Sequence, residues 1–165
     1  QGEAARGQGP MLLNWTAARY IPVAVRQVQD AARSSGRNPA DVDVAGYVRL
    51  AILPRKDAAA ARSALQRQIA TYAANPYYRD FFVRCGFAQD MAALSNALGA
   101  GDADAASRAV SLAMQEEVAV VGTPERCRAE VQRRRSLGLQ LPVIAPFAVG
   151  DVKDSYRRAI EAFGD

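Results

Sequence analysis

Two short apolar runs, separated by an amphipathic helical segment, constrain the fold of this chain more than any other feature. The first run covers residues 9–15 and ends in Asn14 and Trp15, and the second, rich in β-branched residues, covers residues 42–52. Between them, apolar residues recur at helical spacing over residues 21–32. Strand, helix and strand at this separation form a βαβ unit, in which the strands are parallel and the crossover is right-handed.

The helix of this unit carries signals at both of its ends. Pro22 is tolerated only in the opening turn of a helix, so the regular helix is predicted to begin near it. Thr16 is predicted to cap the helix, because a hydroxyl can accept a hydrogen bond from a free amide of the first turn. Ser35 and Gly36 are predicted to close the last turn.

A long helical stretch over residues 57–113 follows the second apolar run. Breaks at residues 75–76, at Gly86 and at residues 99–102 divide it into several helices. The stretch is too long for a simple crossover helix, so it is predicted to be an insertion. In barrels of parallel strands, insertions that follow a strand tend to build the mouth in which ligands bind.

The last third of the chain returns to alternating strands and helices. Residues 123–125, Thr-Pro-Glu, combine three helix-start signals, and residues 141–147 are predicted to form the third strand. A final amphipathic helix is predicted over residues 151–163. Its apolar stripe, predicted to face inward, consists of Val152, Tyr156, Ile160 and Phe163. The expected fold class is therefore α/β with three parallel strands.

The composition argues against several kinds of site. The chain has no histidine and only two cysteines, Cys85 and Cys127, so neither a metal site nor a disulfide framework is expected. Without histidine, any chemistry here needs a cofactor or another chain. The sequence shows neither a secretory signal nor an apolar stretch long enough for a membrane span, so a cytoplasmic protein is expected.

The net charge of +4 raises the question of nucleic-acid binding. The densest basic run, residues 133–135, lies on a helical segment that also carries Glu125 and Glu130, and no aromatic residues interleave with it for base stacking. A solvated helix face is the preferred interpretation, and nucleic-acid binding is only a third functional alternative.

The order of six segments is more specific than any one of them. The segments are residues 12–15 (Leu-Leu-Asn-Trp), 36–39 (Gly-Arg-Asn-Pro), 45–52 with Tyr47 and Arg49, 77–82 leading to Gly86 and Phe87, 121–125 (Val-Gly-Thr-Pro-Glu) and 141–143 (Leu-Pro-Val). This succession resembles the luciferase-like monooxygenase superfamily, and within it the deazaflavin-dependent oxidoreductases.

The resemblance implies that residues 1–165 are an incomplete (β/α)8 TIM barrel domain, its last three βα units. The first strand here corresponds to the sixth of the family, and residues 2–5 to the tail of the preceding helix, so five strands would precede residue 1. Family members hold their cofactor, coenzyme F420 (a deazaflavin) or FMN, chiefly with residues of those earlier strands. The expected function is part of an oxidoreductase or monooxygenase that acts on a small organic substrate, and the usual catalytic residue is absent from this chain.

An isolated half barrel would leave one face of its sheet uncovered. Three parallel strands with helices on one side cannot bury both faces, so the chain is expected to bind a partner. That partner is either the missing N-terminal half of the barrel or a second copy of the chain. A non-catalytic half-barrel scaffold or dimerisation protein is the alternative function, and the chain alone is expected to be inactive.

Three candidate site residues lie on the first two predicted strands. Asn14 and Trp15 sit at the carboxyl end of a strand, where binding groups gather in barrels. Either Asn14 bonds substrate or cofactor and Trp15 walls the pocket, or Asn14 caps the next helix and Trp15 packs. Arg49 either meets an anionic substrate or cofactor tail, or pairs with an Asp at the rim.

Four more candidates lie further along the chain. Tyr78 and Arg79 belong to an aromatic and basic cluster on one helix of the insertion, and they contact ligand if that helix closes over the mouth. Packing is the other interpretation of this cluster, since aromatic residues at helical spacing are commonly core. Pro146 and Phe147 end the last predicted strand and carry the same two interpretations.

Overall fold

Four parallel strands form one sheet at the centre of the described part of the chain. The structure is a computed structural model that describes residues 9–53 and 58–164. The strands are β1 (Met11–Leu12), β2 (Ala45–Ile52), β3 (Ala119–Gly122) and β4 (Leu141–Pro146). The predicted α/β class with parallel strands is confirmed. Residues 2–5, assigned above to the tail of a preceding helix, lie outside the described residues.

All three other strands pair with β2. Met11 of β1 lies opposite Ala45, and β3 begins with Ala119 opposite Arg49. β4 runs along β2 from Ala45 to Leu50. A strand has two edges, and β4 pairs with residues of β2 that β1 and β3 also pair with. β1 and β3 therefore follow each other along one edge of β2, and β4 takes the other.

The strand count differs from the three predicted. The additional strand, β3, has only four residues and stands directly between two helices, so its own pattern is too short to identify it. Residues 119–122 form a strand because they pair with the end of β2. β1, in contrast, is shorter than the predicted run, because the carbonyl of Leu13 accepts a hydrogen bond from the amide of Thr16 (3.2 Å) and turns the chain.

Eight α-helices surround this sheet in the described residues, five of them between β2 and β3. They are α1 (Ile21–Ser34), α2 (Ala58–Ala73), α3 (Pro76–Arg84), α4 (Ala88–Gly99), α5 (Ala103–Arg108), α6 (Leu112–Val118), α7 (Pro124–Ser136) and α8 (Val152–Phe163). The helical stretch predicted from residue 57, which is itself not described, to residue 113 thus continues to residue 118. None of the described helices is long and apolar enough to cross a lipid bilayer.

The start of α1 corrects one prediction and bears out another. Thr16 does not cap the helix, since its hydroxyl donates to the carbonyl of Leu13 at 2.6 Å and a 3₁₀ turn, Ala18–Tyr20, comes between. α1 begins at Ile21, so Pro22 does lie in its first turn, as predicted. The capping hydroxyl is used instead to shape the turn that follows β1.

The two faces of the sheet have different environments. Val48 and Leu50 of β2 point to the helices and are fully buried, whereas Tyr47 and Arg49 point to the other face. On that face Tyr47 stays 38% exposed and Met11 47% exposed. This second face, which would be the interior of a closed barrel, is therefore covered only in part.

Of the apolar stripe predicted for α8, only Phe163 faces inward, where it packs partly buried against the core. Contrary to the prediction, the other three residues do not. Val152, Tyr156 and Ile160 are 56%, 49% and 68% exposed, and α8 packs with the small residues Ser155 and Ala159 instead. Small side chains let the helix approach the sheet closely. The larger ones point away from it, next to β4, whose second edge has no partner strand among the described residues.

The basic run of α7 is not a uniformly solvated face. Arg133 and Arg135 are exposed, but Arg134 is only 1% exposed. Arg134 donates to the carbonyls of Thr16 (3.1 Å) and Glu117 (2.7 Å) and to the carboxylate of Glu130 (3.0 Å). It thereby ties α7 to the turn after β1 and to the end of α6.

The main hydrophobic core joins the insertion to the carboxyl ends of the strands. It combines buried residues of the turn after β1, the end of β2, the helices α2 to α6 and the end of β4. Its largest members are Trp15, Leu65, Ile69, Phe82, Met91, Leu94, Met114 and Phe147. The insertion therefore packs over the end of the sheet at which a parallel α/β fold binds its ligands.

Candidate functional site

Arg49 lies between two aromatic rings at the carboxyl end of the sheet. Its guanidinium carbon is 4.6 Å from the centre of the Trp15 ring and 6.0 Å from that of Phe147. Trp15 comes from the turn after β1, and Phe147 follows β4. Three of the predicted site residues, carried by three different strands, thus meet at one place.

The guanidinium of Arg49 has few polar partners. Nη2 donates to Oε1 of Gln68 on α2 at 3.1 Å, and Nε is buried without a hydrogen-bond partner. No carboxylate of the described residues lies within salt-bridge distance of it, so the Asp partner considered above is not found there. Burial lowers the pKa of Arg49, which the electrostatic effects of Tyr72 and Tyr156 partly oppose. An arginine keeps its charge under such a shift.

Trp15 has an unusual backbone conformation for a large residue. Its φ is 65°, in the left-handed region that costs about 1–3 kcal/mol for a bulky side chain. The side chain is fully buried, and its Nε1 has no hydrogen-bond partner among the described residues. The backbone amide of Trp15 donates to Oδ1 of Asn14 at 3.2 Å. Strain of this kind persists only where the surroundings hold it, so Asn14 and the core position this ring.

Four aromatic rings run in a row from Trp15 to the protein surface. The edge-to-face pairs are Trp15 with Tyr72 (5.6 Å between centres), Tyr72 with Tyr78 (4.9 Å) and Tyr78 with Tyr77 (5.9 Å). The hydroxyl of Tyr72 also accepts a hydrogen bond from Nδ2 of Asn14 at 3.4 Å. Burial and the neighbouring tyrosines raise the pKa of Tyr78, so it is a neutral phenol at physiological pH. The row forms an aromatic wall beside Arg49.

The remaining two predicted residues are more peripheral. Pro146 is the last residue of β4 and lies opposite Leu50. Arg79 is partly exposed on α3, and its side chain makes no hydrogen bond, ion pair or ring contact with the other six candidates in the described structure. The structure therefore brings Asn14, Trp15, Arg49, Tyr78 and Phe147 together through shared contacts, and leaves Arg79 apart.

Three residues near Arg49 were not predicted as site residues. Gln68 and Tyr72 are four residues apart on α2 and share one face of that helix, a spacing visible in the sequence. Two polar groups on one face of a helix that follows a strand are a pattern that can indicate a binding site. Tyr156 was assigned to the core; its side chain is 49% exposed on α8 and acts on Arg49 only electrostatically, without a contact in the described structure.

A separate concavity lies between the N-terminus of α7 and α8. Its volume is about 510 Å³, and it contains none of the predicted site residues. Its two cations already have partners, since Arg128 pairs with Glu125 and with the carbonyl of Ala162, and Arg158 lies 3.5 Å from the carbonyl of Ile52. We therefore place the candidate site at Arg49 and not in this concavity.

Both cysteines are expected to be unreactive in the folded protein. Cys85 and Cys127 are buried, and burial raises the pKa of each thiol to about 11. Only about one thiol in a thousand is then the reactive thiolate at pH 8. Ellman's reagent at pH 8 should modify neither cysteine until urea unfolds the chain. Rapid modification of the native protein would contradict the burial of the thiols.

A parallel α/β sheet with helices packed over its carboxyl end has the architecture of a TIM-barrel enzyme, here in part. The family model of the luciferase-like monooxygenases matches residues 3–141. The chain belongs to that family. The resemblance inferred from the six sequence segments is thereby confirmed.

The chain is also similar to individual proteins of this superfamily. It is 32% identical to a 5,10-methylenetetrahydromethanopterin reductase of Methanolobus tindarius over 168 aligned residues, which cover 99% of this chain and 48% of that protein. A coenzyme F420 dependent tetrahydromethanopterin reductase from Methanopyrus kandleri superposes with a TM-score of 0.73 at 21% identity, covering 96% of this chain and 44% of that one.

A second solved structure, an F420-dependent secondary alcohol dehydrogenase in complex with an F420-acetone adduct, superposes with a TM-score of 0.57 at 14% identity. The match covers 98% of this chain and 44% of that one. The chain thus spans about half the length of the relatives it matches. These likenesses confirm the fold as that of part of a TIM barrel.

Proposed function

We propose that the complete protein is an F420-dependent oxidoreductase that acts on a small organic substrate in the cytoplasm, and that this chain supplies one side of its active-site mouth. The observation that carries the proposal is the meeting of Trp15, Arg49 and Phe147 at the carboxyl end of the sheet. That end holds the active site of TIM-barrel enzymes. Deazaflavin is favoured over FMN because the two solved structures compared above are described as F420-dependent.

The residues present fit one side of a planar cofactor or its substrate. Tyr72 and Tyr78 offer aromatic surface that is at least partly exposed. The buried rings of Trp15 and Phe147 contact Arg49, and the buried Nε of Arg49 and Nε1 of Trp15 are hydrogen-bond donors without partners in the described structure. A deazaflavin supplies hydride transfer when it is bound, while the protein orients it and excludes water. In this scheme the buried rings of Trp15 and Phe147 hold Arg49 at the mouth, and Asn14 sets the position of the Tyr72 hydroxyl.

We propose further that residues 1–165 are the last three βα units of the barrel and that the missing N-terminal half is the partner. The uncovered interior residues Met11 and Tyr47, together with the exposed Val152 and Ile160, lie where a closed barrel would have its opposite wall and its neighbouring helix. The match to less than half of each relative supports the same conclusion. A second copy of the chain is the competing partner.

Co-production of this chain with the N-terminal half of the barrel tests the proposal. We expect an equimolar complex that retains F420 through gel filtration, seen as visible absorbance comigrating with protein. Retention of FMN instead of F420 would show that the cofactor is a flavin and not a deazaflavin. If the chain forms a stable colourless dimer that binds neither cofactor with the N-terminal half present, the scaffold function replaces the enzyme.

Trp15→Ala is expected to weaken F420 retention by that complex about tenfold, because it removes the ring that holds Arg49 in place, and a cation–π contact contributes about 0.5–2 kcal/mol. The dissociation constant can be measured by quenching of F420 fluorescence. Tyr77→Phe is the matched control, because Tyr77 is exposed at the outer end of the aromatic row and should leave the constant unchanged. Equal effects of both variants would show that the ring of Trp15 has no part in the binding of F420.

A further inference from the structure

We infer that Arg49, with Gln68, Tyr72 and the rings of Trp15 and Phe147, forms a binding site for a planar organic anion, a carboxylate on a flat body. The location of this site as part of the active-site mouth rests on the proposed function. The binding chemistry rests on the contacts of Arg49 alone.

The first argument is the missing counter-charge. A cation withdrawn from water is costly unless it is paired: the fully buried Arg134 has a carboxylate and two carbonyls as partners, whereas Arg49 is partly buried, with its Nε fully buried. Arg49 has only the neutral amide oxygen of Gln68 within the described residues. An anion from outside the described chain would complete this set.

The second argument is the direction of the free donors. The rings of Trp15 and Phe147 approach Arg49 with their faces, so they leave the hydrogen-bonding demand of its N–H groups unmet. Gln68 accepts from Nη2, and in the described structure Nε and Nη1 have no acceptor. Gln68 takes one of the two Nη2 hydrogens, so the other Nη2 hydrogen and a hydrogen of Nη1 or Nε form a pair of parallel donors that matches the two oxygens of a carboxylate.

The third argument comes from the tyrosine next to Arg49. The hydroxyl of Tyr72 accepts from Asn14, which leaves its own hydrogen free to donate, and no acceptor for it exists among the described residues. Tyr72 also acts electrostatically on Arg49, as does Tyr156. A carboxylate at Arg49 would therefore find the hydroxyl of Tyr72 beside the cation, and an aromatic wall for the rest of the ligand.

The single tryptophan of the chain makes the inference directly testable. Trp15 contacts Arg49, so its fluorescence reports on ligands at the guanidinium without any catalytic turnover. Benzoate is the probe, and benzamide is its neutral counterpart of the same shape. We expect saturable benzoate binding and at least about tenfold weaker benzamide binding, because a hydrogen bond to a charged group is worth more than one between neutral groups.

Two variants identify the cation responsible. Arg49→Gln should weaken benzoate binding at least about tenfold, and Arg49→Lys should weaken it less, since lysine keeps the charge and loses the planar fork. Arg67→Gln is the matched control, because Arg67 is exposed on α2 next to Gln68 and should leave binding unchanged. Circular dichroism checks that each variant is folded, and Arg49→Lys keeps the test valid if Arg49→Gln is not.

Competition with F420 separates the sources of the anionic group. In the completed protein, benzoate that binds together with F420 assigns the site to the substrate, and benzoate that displaces F420 assigns it to an anionic part of the cofactor. Benzoate binding without F420 binding would overturn the proposed function and leave this inference standing. Equal affinity for benzoate and benzamide, or no saturable benzoate binding by either the chain or the completed protein, would overturn the inference.

Discussion

Replacement of Arg134 by methionine is expected to lower the free energy of unfolding by about 3–5 kcal/mol, the usual cost of breaking a buried ion pair from one side. The substitution leaves the carbonyls of Thr16 and Glu117 without their donor and the largely buried carboxylate of Glu130 without its most buried partner. Urea denaturation followed by circular dichroism measures the change. Methionine keeps much of the side-chain volume, so the loss reports on hydrogen bonds and charge more than on packing.

Arg133→Met is the control for this variant. Arg133 bonds to the same carboxylate of Glu130, at 2.8 and 2.9 Å, but its side chain is 46% exposed. Exposed ion pairs contribute about 0–1 kcal/mol, so this variant should be close to the parent chain in stability. Equal losses for the two variants would show that attraction to Glu130, and not the bonds to the two carbonyls, carries the effect.

The same substitution should also disturb the candidate site. Thr16 follows Trp15, whose left-handed conformation is held by its surroundings, and Arg134 binds the carbonyl of Thr16. Release of that carbonyl removes one of the restraints on the turn. A change of the near-ultraviolet circular dichroism of the single tryptophan in Arg134→Met, but not in Arg133→Met, is the expected sign.

Phe82→Ala is expected to cost about 3–5 kcal/mol of stability, as large-to-small changes of buried aromatic residues do. Phe82 is fully buried in the core that joins the insertion to Trp15 and Phe147, and it contacts the rings of Tyr78 and Phe81. The cavity would lie beneath the aromatic wall of the site. Thermal unfolding of the chain measures the loss.

The neighbouring residue provides the control for Phe82. Val83 lies on the same helix, α3, and is 43% exposed, so Val83→Ala should change stability by no more than about 0.5 kcal/mol. If Phe82→Ala is as mild as Val83→Ala, the insertion packs on the sheet more loosely than its buried contacts indicate. A large loss for both would indicate that α3 is sensitive along its whole length.

Several large apolar side chains are exposed on the described part of the chain. Met11, Tyr47, Val152 and Ile160 are exposed around the uncovered face and the free edge of β4. Monomeric proteins rarely leave such groups uncovered together, and an unpaired strand edge is itself a site of association. The proposed N-terminal half of the barrel would account both for the open face and for the match to only part of the longer relatives.

Two helix ends were predicted correctly from the residues beside them. Thr123 caps α7 by accepting from the amide of Arg126 at 3.4 Å, and Pro124 opens the helix, as the sequence predicted. Gly36 adopts a left-handed φ of 74° after α1, in agreement with the predicted helix end. These residues act on backbone groups within one helical turn, so their effect can be recognised without the rest of the fold.

Helical spacing did not predict the exposure of side chains correctly where that exposure depends on elements distant along the chain. Val152, Tyr156 and Ile160 have the spacing of a core face, yet all three are exposed in the described structure. Arg134 sits in a basic run of solvated appearance, yet it is buried by the turn after β1. Periodicity states which residues share a face and leaves open what that face meets.

The amino-acid sequence by itself determined the alternation of strands and helices, the parallel class and the family, because these depend on periodicity, turn chemistry and the order of segments. Only the tertiary structure decided that the side chains of Trp15, Arg49 and Phe147 meet at one place and that Gln68 and Tyr72 lie beside them. These residues are far apart along the chain, and it is strand pairing in register that carries their side chains to the same end of the sheet.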